Sequence, residues 1–215
     1  DFLKPKLANI PKDIDAAYYL IHSMATSSSN FETLEENCAA NFKALVSKTQ
    51  CKQVIYLSGI VNDKSLSKHL KSRLQVEHTL KSEAYALTTF RAGIIVGSGS
   101  ASFEIIRDIV EKLPVMVTPR WLNTKTQPLG IRDVLTYLCG ALYKEELYNK
   151  AFDIFGPEVL TYKQMLLQFA EVRGLKRHIL TLPVLSPKLS SYWLYFVTST
   201  SFQLASALVD SMKVE

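Results

Sequence analysis

Gln53-Val54-Ile55-Tyr56-Leu57-Ser58-Gly59 is a short apolar run closed by two small residues. Its length, its β-branched and aromatic content and its terminal glycine read as a strand buried on both faces. Such strands belong to mainly parallel sheets, whose crossover helices cover both sides. The pattern recurs on either side. Upstream, Asp15-Ala16-Ala17-Tyr18-Tyr19-Leu20-Ile21 is a similar run that ends at His22, and downstream residues 87–96 form a third, which runs into Gly97-Ser98-Gly99-Ser100. Between them lie helical patterns. Ser29 and Glu32 have the spacing of a capping box. Behind them Phe31, Leu34, Cys38, Phe42 and Leu45 recur at steps of three and four, which predicts an amphipathic helix to about Ser47. Residues 66–82 predict another, with Leu66, Leu70, Leu74 and Leu80 inside and Lys68, Lys71 and Lys81 outside. Ser102 is expected to open a third helix that Leu113-Pro114 closes. Further on, a helix is expected at about 131–143, a short strand at 151–155, a turn at Gly156-Pro157, and a helix over 161–173 that Gly174 stops.

Strand and helix alternate at βαβ spacing, so the fold class is α/β, a doubly wound parallel sheet covered on both faces. Ligands of such sheets bind at the carboxyl ends of the strands. The loops at His22, at Ser58 and over 93–100 are therefore expected to line one crevice. The 215 residues suffice for one large domain, and 47% hydrophobic with 21% charged residues is ordinary globular composition. Cys38, Cys51 and Cys139 are odd in number and widely spaced, which argues for a reducing compartment, the cytoplasm, and against a disulfide frame or a zinc site. His22, His69, His78 and His178 show no ligand spacing, so no metal is expected. The net charge of +5 reads as a solvated surface or as surroundings for an anionic ligand. Nucleic acid is not expected, since no arginine-rich run is present. No signal peptide is read at the start. No window holds 18 unbroken apolar residues, so no membrane span is expected; residues 192–209 come nearest.

Two segments are specific enough to carry a family resemblance: Gln127-Pro128-Leu129-Gly130-Ile131-Arg132-Asp133-Val134 and Gly156-Pro157-Glu158-Val159-Leu160-Thr161-Tyr162. Together with the stretches at 15–24, 54–59 and 90–100, they resemble the extended and atypical short-chain dehydrogenases. The nearest branch is that of NmrA-like proteins, the dehydrogenase-like accessory subunit of respiratory complex I and nucleoside-diphosphate-sugar epimerase-like proteins. The resemblance implies a Rossmann-like sheet that binds NAD or NADP. Residues 1–114 would be the later part of the dinucleotide domain, and 115–215 a small α/β substrate lobe interleaved with it. The family opens with a G-x-x-G-x-x-G phosphate loop, and no such motif occurs here. Gly97-Ser98-Gly99 lacks the third glycine. Asp1-Phe2 resembles the family's adenine-contacting pair after the third strand, so the N-terminal βαβ part is read as absent. A chain beginning at Asp1 would leave a sheet face and edge uncovered, and poor stability or self-association is expected of it.

The resemblance also implies site residues, each with a plainer reading beside it. Ser58 either holds a substrate oxygen or satisfies a strand-end carbonyl. The family's general acid is a tyrosine with lysine four residues later, on the same helix face. None of the ten tyrosines here has that lysine. The aligned helix carries His69 and Arg73 instead. Histidine can move a proton near neutral pH, and arginine can hold a ribose or phosphate but does not titrate; the plainer reading is an exposed basic helix face. His22, Ser23 and Met24 fall where the family passes the nicotinamide ribose, or form a capped strand-end loop. Arg91-Ala92-Gly93 falls beside the nicotinamide, with Arg91 alternatively pairing a structural carboxylate. Arg132-Asp133 reads as a helix start. Trp121, Tyr192 and Trp193 read as core aromatics before pocket linings. The leading expectation is an NAD(P)-binding oxidoreductase or epimerase-like enzyme acting on a carbonyl or alcohol. The second is a non-catalytic dinucleotide-sensing or assembly protein. A third is a factor that docks on a membrane surface through residues 189–209.

Overall fold

The computed structural model describes residues 2–4, 10–21, 31–60 and 68–182; the side chains of Phe31, Lys68, His69 and Leu182 lie outside the description. The chain forms two compact units. One comprises Asp1–Ala92 with Arg132–Ile154, and the other Gly93–Ile131 with Phe155–Glu215.

The first unit is built on a four-stranded parallel sheet. Its strands are β1 (Ala16–Tyr19), β2 (Gln53–Gly59), β3 (Ala86–Ala92) and β8 (Ala151–Ile154), in that spatial order. The register pairs Tyr19 with Tyr56, Ser58 with Arg91, and Arg91 with Asp153. Alternate residues of the central strands face opposite layers. On one side lie α1 (Phe31–Val46) and α2 (Lys68–Leu80). The core there joins Tyr19, Ala39, Phe42, Val46, Tyr56, Val76 and Leu80, and Tyr19 meets Phe42 edge to face at 4.9 Å. On the other side lies α4 (Ile131–Gly140), which Tyr18 reaches by donating from its hydroxyl to the Leu138 carbonyl at 3.0 Å. Gln53 is fully buried on that face. Its Nε2 donates to Thr88 Oγ1 at 3.1 Å and to the Ala141 carbonyl at 2.9 Å, and its Oε1 accepts from the Tyr143 amide at 2.8 Å. The expected α/β architecture, a parallel sheet with helices on both faces, is thus the one observed.

The second unit contains β4 (Ile95–Val96), α3 (Ala101–Lys112), β5 (Val115–Pro119), β6 (Lys125–Thr126), β7 (Leu129–Gly130), β9 (Leu160–Thr161), α5 (Tyr162–Val172) and β10 (His178–Leu182). They pair as three two-stranded ribbons, β10 with β5, β4 with β7 and β6 with β9. Phe103 of α3 meets Phe169 of α5 edge to face at 5.5 Å. Arg177 donates from Nε to the Val110 carbonyl at 2.5 Å and from Nη2 to Glu111 O at 3.4 Å, which satisfies the last carbonyls of α3.

Two expectations needed revision, and two strands were unforeseen. The strand expected over 87–96 is interrupted at Gly93-Ile94, because β3 pairs with β2 and β8 whereas β4 pairs with β7. The third helix opens at Ser100, not Ser102. The Ser100 hydroxyl accepts from the Phe103 amide at 3.4 Å and donates to the Ile95 carbonyl at 2.6 Å. Strands β5 and β10 were not expected at all. Their residues alternate between buried (Met116, Thr118) and exposed (Val115, Val117), and so form no apolar run.

Among the described residues, no helix is long and apolar enough to cross a membrane.

Candidate active site

The carboxyl end of β2 gathers the polar groups of the first unit. Ser58 is only 4% exposed, and its Oγ has no hydrogen-bond partner among the described residues. Buried hydroxyls are normally bonded, and leaving one unpaired costs about 1–3 kcal/mol. Tyr56, two residues earlier on the same face, is fully buried, and its hydroxyl donates to the Arg73 carbonyl at a long 3.4 Å. Burial pushes the Tyr56 phenol up, while the Arg73 guanidinium pulls it the other way. Ser58 is near enough to favour the ionised phenol but stands outside hydrogen-bonding geometry. Arg73 extends Nη1 to the Leu57 carbonyl at 3.4 Å, against the peptide that joins Leu57 to Ser58.

Beside this strand, β3 places Arg91 in register with Ser58 and Ala92 with Gly59. The Ala92 carbonyl accepts from the Ile60 amide at 3.2 Å, which ties the two strand ends together. Arg91 points at α2 and grips Glu77 with two parallel bonds, Nε to Oε2 at 3.0 Å and Nη2 to Oε1 at 2.8 Å. The hydrogen-bonded Glu77 carboxylate raises the Arg91 pKa further above its already high ordinary value. One layer away, the buried Ser72 hydroxyl donates to Glu35 Oε2 at 2.5 Å, joining α2 to α1.

Of the residues singled out in the sequence, Ser58, Arg73, Arg91 and Ala92 therefore share one neighbourhood. His69 lies on α2 one turn before Arg73, and its side chain is outside the described residues, as are Asp1, His22, Ser23, Met24, Tyr192, Trp193 and the stretch 189–209. Gly93 is the first residue of the second unit. Phe2 packs edge to face on Phe42 at 5.4 Å, and its carbonyl accepts from Asn41 Nδ2 at 2.7 Å, so it is fastened to α1. Trp121, in the second unit, meets Tyr162 edge to face at 5.9 Å, and its buried Nε1 has no hydrogen-bond partner among the described residues. Sequence reasoning missed Glu77 and Tyr56. Glu77 had left a signal: an acid on the stripe of Leu70, Leu74 and Leu80 that faces inward. Among the described residues no group of three potential ligands could hold a metal ion.

No family model matches the chain, and no curated protein is similar to it. Its fold, by contrast, recurs widely among solved structures. UDP-glucuronic acid 4-epimerase from Bacillus cereus, in complex with UDP-glucuronic acid and NAD, superposes with a TM-score of 0.67 at 16% identity, over 99% of this chain and 80% of that one. Triphenylmethane reductase from Citrobacter sp., complexed with NADP(H), gives 0.71 at 15% identity, over 99% and 72%. The RMD protein of Pseudomonas aeruginosa, complexed with NADPH, gives 0.69 at 14% identity, over 99% and 86%. Identities this low speak for fold and not for chemistry. The chain has a Rossmann-type α/β fold, the one these three structures share.

Proposed function

We propose that this protein binds NAD or NADP at the carboxyl ends of β2 and β3 and acts as an atypical short-chain oxidoreductase or epimerase-like enzyme on a carbonyl or alcohol. The observation that carries the reading is the Ser58 hydroxyl, buried at a strand end and without a hydrogen-bond partner among the described residues. It fits a site whose missing hydrogen-bond partner is a substrate oxygen. The fold neighbours were crystallised with NAD or NADP(H), which supports the choice of cofactor class. When bound, the nicotinamide supplies the hydride chemistry. The chain's own residues then divide the remaining tasks. Ser58 orients the oxygen. Arg73 holds a fixed positive charge beside the Leu57–Ser58 peptide, in the place of the family's lysine. His69, one turn away, or a water supplies the proton. Ala92 is a proposed cofactor contact in this reading, as are His22, Ser23 and Met24, which lie outside the described residues.

A second reading, a dinucleotide-sensing or assembly protein of NmrA-like type, draws on one sequence observation: no tyrosine has lysine at the fourth following position. We place the protein in the cytoplasm, in keeping with the free thiols of Cys38, Cys51 and Cys139.

Fluorescence titration of the protein with NADH and NADPH tests the reading. Saturable binding of one of them is expected, and no binding of either overturns both readings. A bound nucleotide that is never oxidised or reduced with a panel of carbonyls, alcohols and UDP-sugars selects the sensor over the enzyme.

A further inference from the structure

Arg73 and Glu77 stand one turn apart on the same side of α2. Glu77 is 5% exposed, and both of its carboxylate oxygens are taken by Arg91. The remaining nitrogen of Arg91, Nη1, lies 3.9 Å from Asp153 Oδ1 on β8. The whole guanidinium fork is therefore engaged, and it ties α2 to β3 and β8. A bidentate pair constrains two atoms on each side, so it fixes the rotation of a helix as well as its distance from the sheet. Both contacts that Arg73 makes one turn upstream are long, 3.4 Å from its Nη1 to Leu57 O and 3.4 Å from Tyr56 Oη to its own carbonyl. A slip of α2 by about half an ångström would carry both beyond hydrogen-bonding range.

We infer that Glu77 and Arg91 are a positioning pair: they clamp α2 to β3 and so set the Arg73 guanidinium against the Leu57–Ser58 peptide. The inference rests on the reading of Ser58 and Arg73 as the working site. Within it, Arg91 presents no free charge to the cofactor, and Arg73 supplies the positive charge beside the Leu57–Ser58 peptide. Glu77 is not a catalytic residue, because it acts only through Arg73.

The test is backbone NMR of the full chain, read at the Ser58 amide, whose peptide contains the Leu57 carbonyl that Arg73 contacts. R73Q is expected to move the Ser58 resonance. E77Q is expected to move it likewise and to add nothing in the R73Q background. An unmoved Ser58 amide in E77Q overturns the inference, as does an equal shift whether or not Arg73 is present. Should E77Q fail to fold, E77M/R91L replaces the ion pair by apolar groups of similar bulk, a change that buried pairs commonly tolerate. It should move Ser58 in the same way, and an unmoved amide is again fatal. NADH and NADPH titrations form the second arm. R73Q and E77Q should each weaken binding by about 10-fold, the usual scale for a displaced charged donor, without adding to one another. Additive losses mean that Arg91 itself touches the nucleotide, and they sink the inference. Wild-type protein that binds neither nucleotide, with the Ser58 response intact, removes the proposed function and leaves the positioning pair standing. Nucleotide binding with a Ser58 amide indifferent to Glu77 does the reverse.

Discussion

A methyl group placed on Gly156 would stand 2.0 Å from the Pro128 carbonyl oxygen, a backbone atom that no rotamer change can move aside. One placed on Gly97 would stand 2.6 Å from Ile131 Cγ2. The two glycines thus admit the 128–131 segment from either side. Gly156→Ala is expected to cost on the order of 3 kcal/mol, at the upper end of ordinary substitutions, and to lower the midpoint of thermal unfolding. An unchanged midpoint would refute the close approach. Ser58 makes the opposite case. Its hydroxyl has no hydrogen-bond partner among the described residues, so Ser58→Ala should leave stability unchanged or slightly raised, since an unpaired buried polar group is removed. Turnover should fall by about 100-fold, the scale of losing one preorganised donor, with a much smaller loss of cofactor affinity. Equal losses of turnover and cofactor affinity would end that role for Ser58. Ser58 was legible in the sequence because a small polar residue closed an apolar run. The partner of Arg91 was not, because it lies 14 residues back on another element. A carboxylate that satisfies a buried cation is fixed by tertiary packing, which no local pattern encodes.

Elements were legible where burial is two-sided. β1, β2 and β3 are apolar runs because helices cover both of their faces, and α1 has the three-and-four periodicity of a helix packed on one side. The ribbon of β5 and β10 escaped notice because it buries one face only. Its sequence mixes Val, Thr, His and Leu without a clean period. Helix α5 was expected to begin at Thr161, and Thr161 is its cap: the hydroxyl accepts from the Gln164 amide at 3.1 Å, while Gln164 Oε1 accepts from the Thr161 amide at 2.7 Å. The attachment to the sheet of the turn that follows α4 could not be read at all, because it runs through one buried amide. Gln53 gathers Thr88 Oγ1, the Ala141 carbonyl and the Tyr143 amide, and Tyr143 adopts a positive φ of 59° there. Gln53→Leu keeps the volume and removes every bond. It leaves the Tyr143 amide unpaired and the Ala141 carbonyl with the Lys144 amide alone, and should cost on the order of 2 kcal/mol. Denaturant unfolding measures this as a fall in midpoint at constant slope. A variant as stable as the parent would show that water replaces the side chain.

At the scale of the whole molecule, the sequence revealed the fold class, and the chain leaves the first unit after Ala92 and returns to it at Arg132. What spans both units is a set of buried phenols. Burial raises Tyr19, Tyr56 and Tyr85 in the first and Tyr162 in the second, and Tyr85 reaches about 12 from an ordinary 10.0. In each case the native state holds its proton more tightly than the unfolded chain does. The stability this confers is complete below pH 10 and is lost as pH rises through the native value, from about 10 to 12 for Tyr85. A shift of that size corresponds to about 3 kcal/mol from this one residue. The protein should therefore show no tyrosine-linked change in stability near neutrality and unfold cooperatively at high pH, with phenolate absorbance of the buried tyrosines appearing only as structure is lost. Tyr85 separates the electrostatic cause from the packing, since its hydroxyl donates to the Leu80 carbonyl at 2.6 Å at the end of α2. Tyr85→Phe should lose about 1 kcal/mol at neutral pH with that bond and then fall less steeply with pH, so that the two stability curves converge or cross in the alkaline range. Parallel curves would mean that the Tyr85 phenol ionises in the folded protein at its ordinary value, and that the burial seen at this position does not govern its proton.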